Sequence, residues 1–95
     1  MKKYEIMYIL KASLNDEERQ TAMKRVEERL TANGAEVSKT TEWGLRTLAY
    51  EIEKETKGFY VILKVNAPKE ALDEFNRLTR IDHNVLRYLI TVDLD

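Results

Sequence analysis

Apolar and polar residues alternate from residue 3 to 10. Tyr4, Ile6, Tyr8 and Leu10 fall on one side, and Glu5, Met7 and Ile9 on the other. A period of two is the mark of a strand. From Asn15 to Gly34 the period changes. Met23, Val26 and Leu30 make a stripe at helical spacing, Asn15 with Glu18 three residues on is a capping box, and acids fill the first turn. Asn33-Gly34 then ends the helix. Residues 35 to 52 read as a long second strand, with Gly44 marking a bulge or bend. The polar run "EKETKG" is a turn and residues 58 to 66 are the third strand, so the two strands form a hairpin. Pro68 opens a second helix at its first turn, with Ala71, Leu72, Phe75 and Leu78 on the buried face. The last strand, 85 to 92, sets Leu86, Tyr88, Ile90 and Val92 against Val85, Arg87, Leu89 and Thr91.

The order β-α-β-β-α-β is two split βαβ halves, which predicts an α+β, ferredoxin-like fold. Right-handed crossovers place both helices on one face of a four-stranded antiparallel sheet and leave the other face open. The 95 residues are the length of one domain, spanning 1–95.

The third strand, "KGFYVILKV", invites a specific question. It approaches the first ribonucleoprotein motif of RNA-recognition domains, K/R-G-F/Y-G/A-F-V-x-F/Y. Lys57, Gly58 and Phe59 fit, but Tyr60 stands where a small residue belongs, and Val61 and Lys64 stand where aromatics should stack on bases. Register decides the matter. Phe59, Val61, Leu63 and Val65 are uniformly apolar and must face the helices, whereas stacking aromatics need the open face. The open face is expected to carry Glu5, Met7, Ile9, Tyr60, Ile62, Lys64, Val85, Arg87 and Leu89. Such a patch marks either a protein partner or a tolerated, half-covered sheet face.

Composition then narrows the function classes. Sixteen Lys and Arg against seventeen Asp and Glu give a net charge of -1, which argues against a strong autonomous nucleic-acid binder. There is no Cys, hence no disulfide framework and no thiolate chemistry. No cofactor and no metal are expected. His83 is the lone histidine and falls in a loop; no phosphate loop or nucleophile elbow appears. Acylphosphatases share the fold but place a glycine-rich loop after the first strand, where this chain has "KASLND". No apolar run approaches the ~20 residues of a membrane span, and the alternation of "MKKYEIMYIL" reads as a strand rather than a signal peptide. A cytoplasmic location is expected.

Positive charge gathers at the sheet ends. Lys2, Lys3, Lys39 and Lys64 fall near one end, with Asp93 and Asp95 beside them; Lys11, Lys54, Lys57, Arg80 and Arg87 fall near the other. Such positions suit phosphate contacts, which position without reading sequence. Trp43 and Tyr50 on the second strand are either core packing or an exposed platform.

The stretch "GLRTLAYEI", residues 44 to 52, resembles the signature of the bacterial small-subunit ribosomal protein S6 family, roughly G-x-K/R-x-L-A/S-Y-x-I. Gly44, Arg46, Leu48, Ala49, Tyr50 and Ile52 fit it. "KKYEIMYIL", "KGFYVILKV" and "RIDHNVLRYLITV" are similar to the family in the same order along nearly the whole chain, while Thr47 and Glu53 depart from it. The resemblance implies a ferredoxin-like fold and a structural role, not an enzyme. It further implies binding to the central domain of 16S ribosomal RNA as a heterodimer with ribosomal protein S18. A basic partner would supply the charge this chain lacks. On this reading Arg46, Leu48 and Tyr50 carry the partner surface. Lys2, Lys3, Tyr4, Lys54, Lys57 and Arg87 are the RNA or rim contacts. The alternatives are an acylphosphatase-like enzyme and a regulatory domain that self-associates through its sheet.

Overall fold

The computed structural model describes residues 2–93, so Asp95 lies outside the described residues. The elements are β1 (Lys2–Lys11), α1 (Asp16–Thr31), β2 (Glu36–Ile52), β3 (Glu55–Ala67), α2 (Lys69–Arg80) and β4 (Val85–Val92). The sheet order is β2-β3-β1-β4, with every neighbour antiparallel. This is the ferredoxin-like arrangement expected from the pattern.

The core lies between the sheet and the two helices. Ile6 stands opposite Leu63 and Ile90, and Tyr8 opposite Val61 and Tyr88, so one face of three strands is continuously apolar. Onto it α1 lays Ala22, Met23, Val26 and Leu30, and α2 lays Ala71 and Phe75. Phe75 meets Tyr88 edge to face, with ring centroids 5.5 Å apart. Each fully buried large side chain contributes roughly 1.5–3 kcal/mol of burial. Phe59, Val61, Leu63 and Val65 all belong to this core, so the one aromatic that fits the ribonucleoprotein motif points inward. The capping box is formed: Asn15 Oδ1 accepts from the Glu18 N–H at 2.8 Å, and Glu18 Oε1 accepts from the Asn15 N–H at 3.0 Å.

Four details differ from the pattern-based reading. The turn is shorter than "EKETKG": Ile52 pairs with Glu55, and only Glu53 and Lys54 turn the chain, at φ +48° and +67°. The type I′ form of a two-residue hairpin loop has positive φ at both positions and matches the strand twist, a geometry Asn-Gly adopts most readily. Pro68 is the N-cap of α2 rather than its first helical residue. Leu72 and Leu78 are only half-buried on α2, whereas Thr79 is buried. Thr79 Oγ1 accepts from Arg29 Nη1 at 3.2 Å, and Arg29 Nη2 donates to Asp82 at 2.6 Å, which joins α1 to the corner before β4. Finally, Val85 belongs to the core and not to the open face. A register shift between Ile9 and Leu10 pairs Val85 with inward-facing Leu10, which flips it relative to Arg87.

Candidate partner and nucleic-acid interface

The open face is built from the alternate residues of the same strands. Met7 stands beside Ile62 and Leu89, and Ile9 beside Tyr60 and Arg87. What makes this face distinctive is β2. Its register with β3 shifts at three places, between Val37 and Lys39, Glu42 and Gly44, and Thr47 and Ile52. The second shift leaves Trp43 as the extra residue, and Gly44 absorbs the distortion at φ +86°. Trp43 thereby stacks on Tyr60, with centroids 6.5 Å apart and planes 17° from parallel. Arg46 lies over the Trp43 ring at 4.8 Å, and Arg87 of β4 lies over the Tyr50 ring at 5.2 Å. Each cation–π contact at an exposed site is worth roughly 0.5–1 kcal/mol. Trp43 and Tyr50 remain 48% and 57% exposed, so they are a platform and not core packing.

Leu48 sits between these two stacks and is only 8% exposed. It is buried against the open face: a Cβ added to Gly58 would meet Ile9 Cγ2 at 2.3 Å and Leu48 Cδ2 at 3.2 Å. Gly58 is therefore the gap into which the Ile9 and Leu48 side chains pack. Arg46, Leu48 and Tyr50, the three partner-surface candidates, thus share one face with Arg87. They form a ridge that crosses from the β2 edge towards β4. The tip of the β2–β3 hairpin and β4 bound a cleft of about 310 Å³ lined by Ile52, Glu53, Arg80 and Arg87, among others.

The remaining RNA candidates are not gathered in one place. Lys2 and Lys3 open β1 opposite Ala67 and Asn66, where Lys3 and Lys64 line a second cleft of about 240 Å³ with Asp93. Lys64 and Asp93 pair there at 3.7 Å. Tyr4 lies on the helix-covered side, half-buried against the core. Lys54 is in the hairpin turn, and Lys57 stands opposite Thr47 on the side of the ribbon that carries Phe59. Six residues of strand, about 20 Å at 3.3 Å each, separate Lys3 from Ile9, the residue opposite Arg87. The basic candidates at the two ends are thus separate from one another, with the aromatic, arginine-bearing ridge on the open face. Sequence reasoning singled out Trp43 without placing it; the Gly after it was the signal for the bulge that exposes it.

Among the described residues no cluster of His, Cys, Asp or Glu is arranged to hold a metal ion, and no helix is long and apolar enough to cross a membrane. His83 is exposed in the loop before β4.

Together these features define an α+β domain of ferredoxin-like topology with an aromatic, arginine-bearing open face. The sequence profile of ribosomal protein S6 matches residues 3–91, and the chain belongs to the ribosomal protein S6 family. The fold is similar to the 1.70 Å crystal structure of 30S ribosomal protein S6 from Thermotoga maritima, with a TM-score of 0.92 and 25% sequence identity over 99% of this chain and 89% of that one. Membership places the chain among small-subunit ribosomal structural proteins, a family consistent with RNA binding and translation, and with the ribosome in the cytoplasm as its location.

Proposed function

We propose that this chain binds the central domain of 16S ribosomal RNA together with ribosomal protein S18, as a heterodimer and without catalysis. The observation that carries the reading is the ridge of Trp43, Arg46, Leu48 and Tyr50, which leaves large aromatic surface in water on a chain of net charge -1. Exposed aromatic and arginine clusters are the residues that dominate protein interfaces. A nearly neutral chain gains little from counterion release by itself, so a basic partner strengthens its hold on RNA. On this reading Arg46 and Tyr50 face S18, with Trp43 as a further anchor, and Leu48, buried at 8% exposure, supports the ridge from beneath. Lys2, Lys3, Lys54, Lys57 and Arg87 contact RNA from the two ends, and Tyr4 holds the first of these ends against the core.

The test is binding to a central-domain RNA fragment with and without S18. Tight binding only with both proteins is the expected result. The pair Lys54→Ala and Lys57→Ala should reduce the salt slope by about one for each phosphate that a lysine no longer neutralises. Equal binding with and without S18 would sink the heterodimer, and an unchanged slope would remove the hairpin tip from the RNA.

A further inference from the structure

The two outer strands of the sheet, β2 and β4, are kept apart by β3 and β1. One contact spans that gap. The β3–β1 ladder ends where Gly58 meets Lys11, while the β2–β3 hairpin runs on to Glu53 and Lys54. On this overhang β2 takes five steps from Thr47 to Ile52 while β3 takes two, from Lys57 to Glu55. The extra residues form a bulge, and Tyr50 lies on it. Ile52 and Glu53 of the overhang line one cleft with Arg80 and Arg87, and the Arg87 guanidinium lies over the Tyr50 ring at 5.2 Å.

Arg87 is half of a unit that the molecule completes elsewhere. Arg19 lies over the Phe59 ring at 4.5 Å, and its Nη2 donates to Asp16. A guanidinium stacked on a ring keeps its in-plane N–H groups for an oxyanion. Arg87 has the ring, but among the described residues it makes no ion pair with a carboxylate. Both members of the pair stand in water: Tyr50 is 57% exposed, and Arg87 is exposed as well. Arg46 over Trp43 is a similar stack, but both residues belong to β2, so it joins no two strands.

Resting on the function proposed above, in which Tyr50 faces S18 and Arg87 faces RNA, we infer that Tyr50 is a positioning residue for the RNA contact. Its ring aims the Arg87 guanidinium at a backbone phosphate, and S18, by covering Tyr50, tightens that aim. A free arginine side chain surrenders rotamer freedom when it binds a phosphate, and one already held on a ring surrenders less. A cation–π contact also strengthens when water is excluded from it, by about fivefold in equilibrium terms. The ring therefore holds the guanidinium more firmly in the heterodimer than in the free chain. Docking of one partner raises affinity for the other, and by linkage the effect is reciprocal. This coupling is separate from the charge that S18 brings, because it acts at one phosphate through one ring.

A double-mutant cycle tests this on RNA binding by the preformed heterodimer, with S18 held above its Kd for each variant. Tyr50→Leu should lower affinity for a central-domain RNA fragment about fivefold when Arg87 is present, and by less than about twofold in the Arg87→Gln background. Arg87→Gln alone should lower the salt slope by about one. Tyr50→Leu should lower affinity with the slope unchanged, because the charge still reaches the phosphate. Tyr50→Phe keeps the ring and should restore most of the lost affinity. Without RNA, NMR relaxation of the Arg87 Nε–H should report greater order when S18 is added, and Tyr50→Leu should abolish the gain. Losses that add across the cycle, or a Tyr50→Phe variant as weak as Tyr50→Leu, overturn the positioning role and leave the heterodimer standing. An Arg87 side chain no more ordered with S18 than without it overturns the coupling. A chain that forms no heterodimer, or a heterodimer that does not bind the RNA, overturns the function proposed above and this inference with it.

Discussion

The two faces of β3 make the sharpest comparison in the molecule. Phe59, Val61, Leu63 and Val65 on one side and Tyr60 and Ile62 on the other are all apolar or aromatic, yet only the first set is core. Helices cover the first set. The second stays half-buried and carries Trp43 and the arginines of the ridge. Hydrophobicity alone does not distinguish packing from recognition; which side the crossover connections occupy does. Stability should therefore respond to one face and binding to the other.

The largest expected effect tests the covered face. Phe75→Ala should cost about 3–5 kcal/mol of stability, measured by urea unfolding. Gly58→Ala tests whether the two faces are separable, since its Cβ would collide with Ile9 and disturb Leu48. A loss of about 1–3 kcal/mol is expected, together with weaker partner binding. Full stability would mean that the open face yields without cost. At the hairpin tip, Glu53→Asn with Lys54→Gly should raise stability by about 1 kcal/mol by relieving two positive-φ positions. Trp43→Ala should move stability by no more than about 0.5 kcal/mol while lowering affinity for S18 about tenfold or more. The reverse pattern would make Trp43 a packing residue and erase the distinction between the faces.

The smallest effect lies within the covered face. The Tyr8 hydroxyl is buried and has no hydrogen-bond partner in the protein. Burial pushes its pKa well up, with the charges of Glu27 and Glu42 adding to the shift. The folded state thus keeps the proton after the unfolded chain has released it. The stabilisation this implies is complete below the ordinary tyrosine pKa of about 10, and it is lost as pH rises above that. Tyr8→Phe should be neutral or slightly stabilising at pH 7 and should flatten the decline above pH 10. Parallel pH profiles for the two proteins would count against this account.

Most of the fold was legible because its signals are local. Alternation placed four strands, and Asn15 with Glu18 announced the start of α1. What escaped the sequence depends on register. The slip at Ile9/Leu10 turned Val85 inward, and no property of Val85 itself reports that. Thr79 is buried with its hydroxyl bonded to Arg29, fifty residues earlier, a contact that only the tertiary structure creates. In the site, the signature residues of β2 were readable by their likeness to a family, but their convergence was not. Tyr50 meets Arg87 only because the long hairpin crosses the sheet towards β4. The basic candidates proved the least legible, since lysines at strand ends look alike whether or not they gather.

The strand order has a consequence for how the chain is made. In the order β2-β3-β1-β4, the first two strands synthesised are never neighbours. When β1, α1 and β2 have left the exit tunnel, no sheet hydrogen bond of the final structure can yet form. Only the arrival of β3 gives both earlier strands a shared neighbour, and β1 waits for β4 to gain its second. The apolar first strand therefore stays without a sheet partner until β3, ending at Ala67, has been made, and the sheet is completed in a second step when β4 emerges.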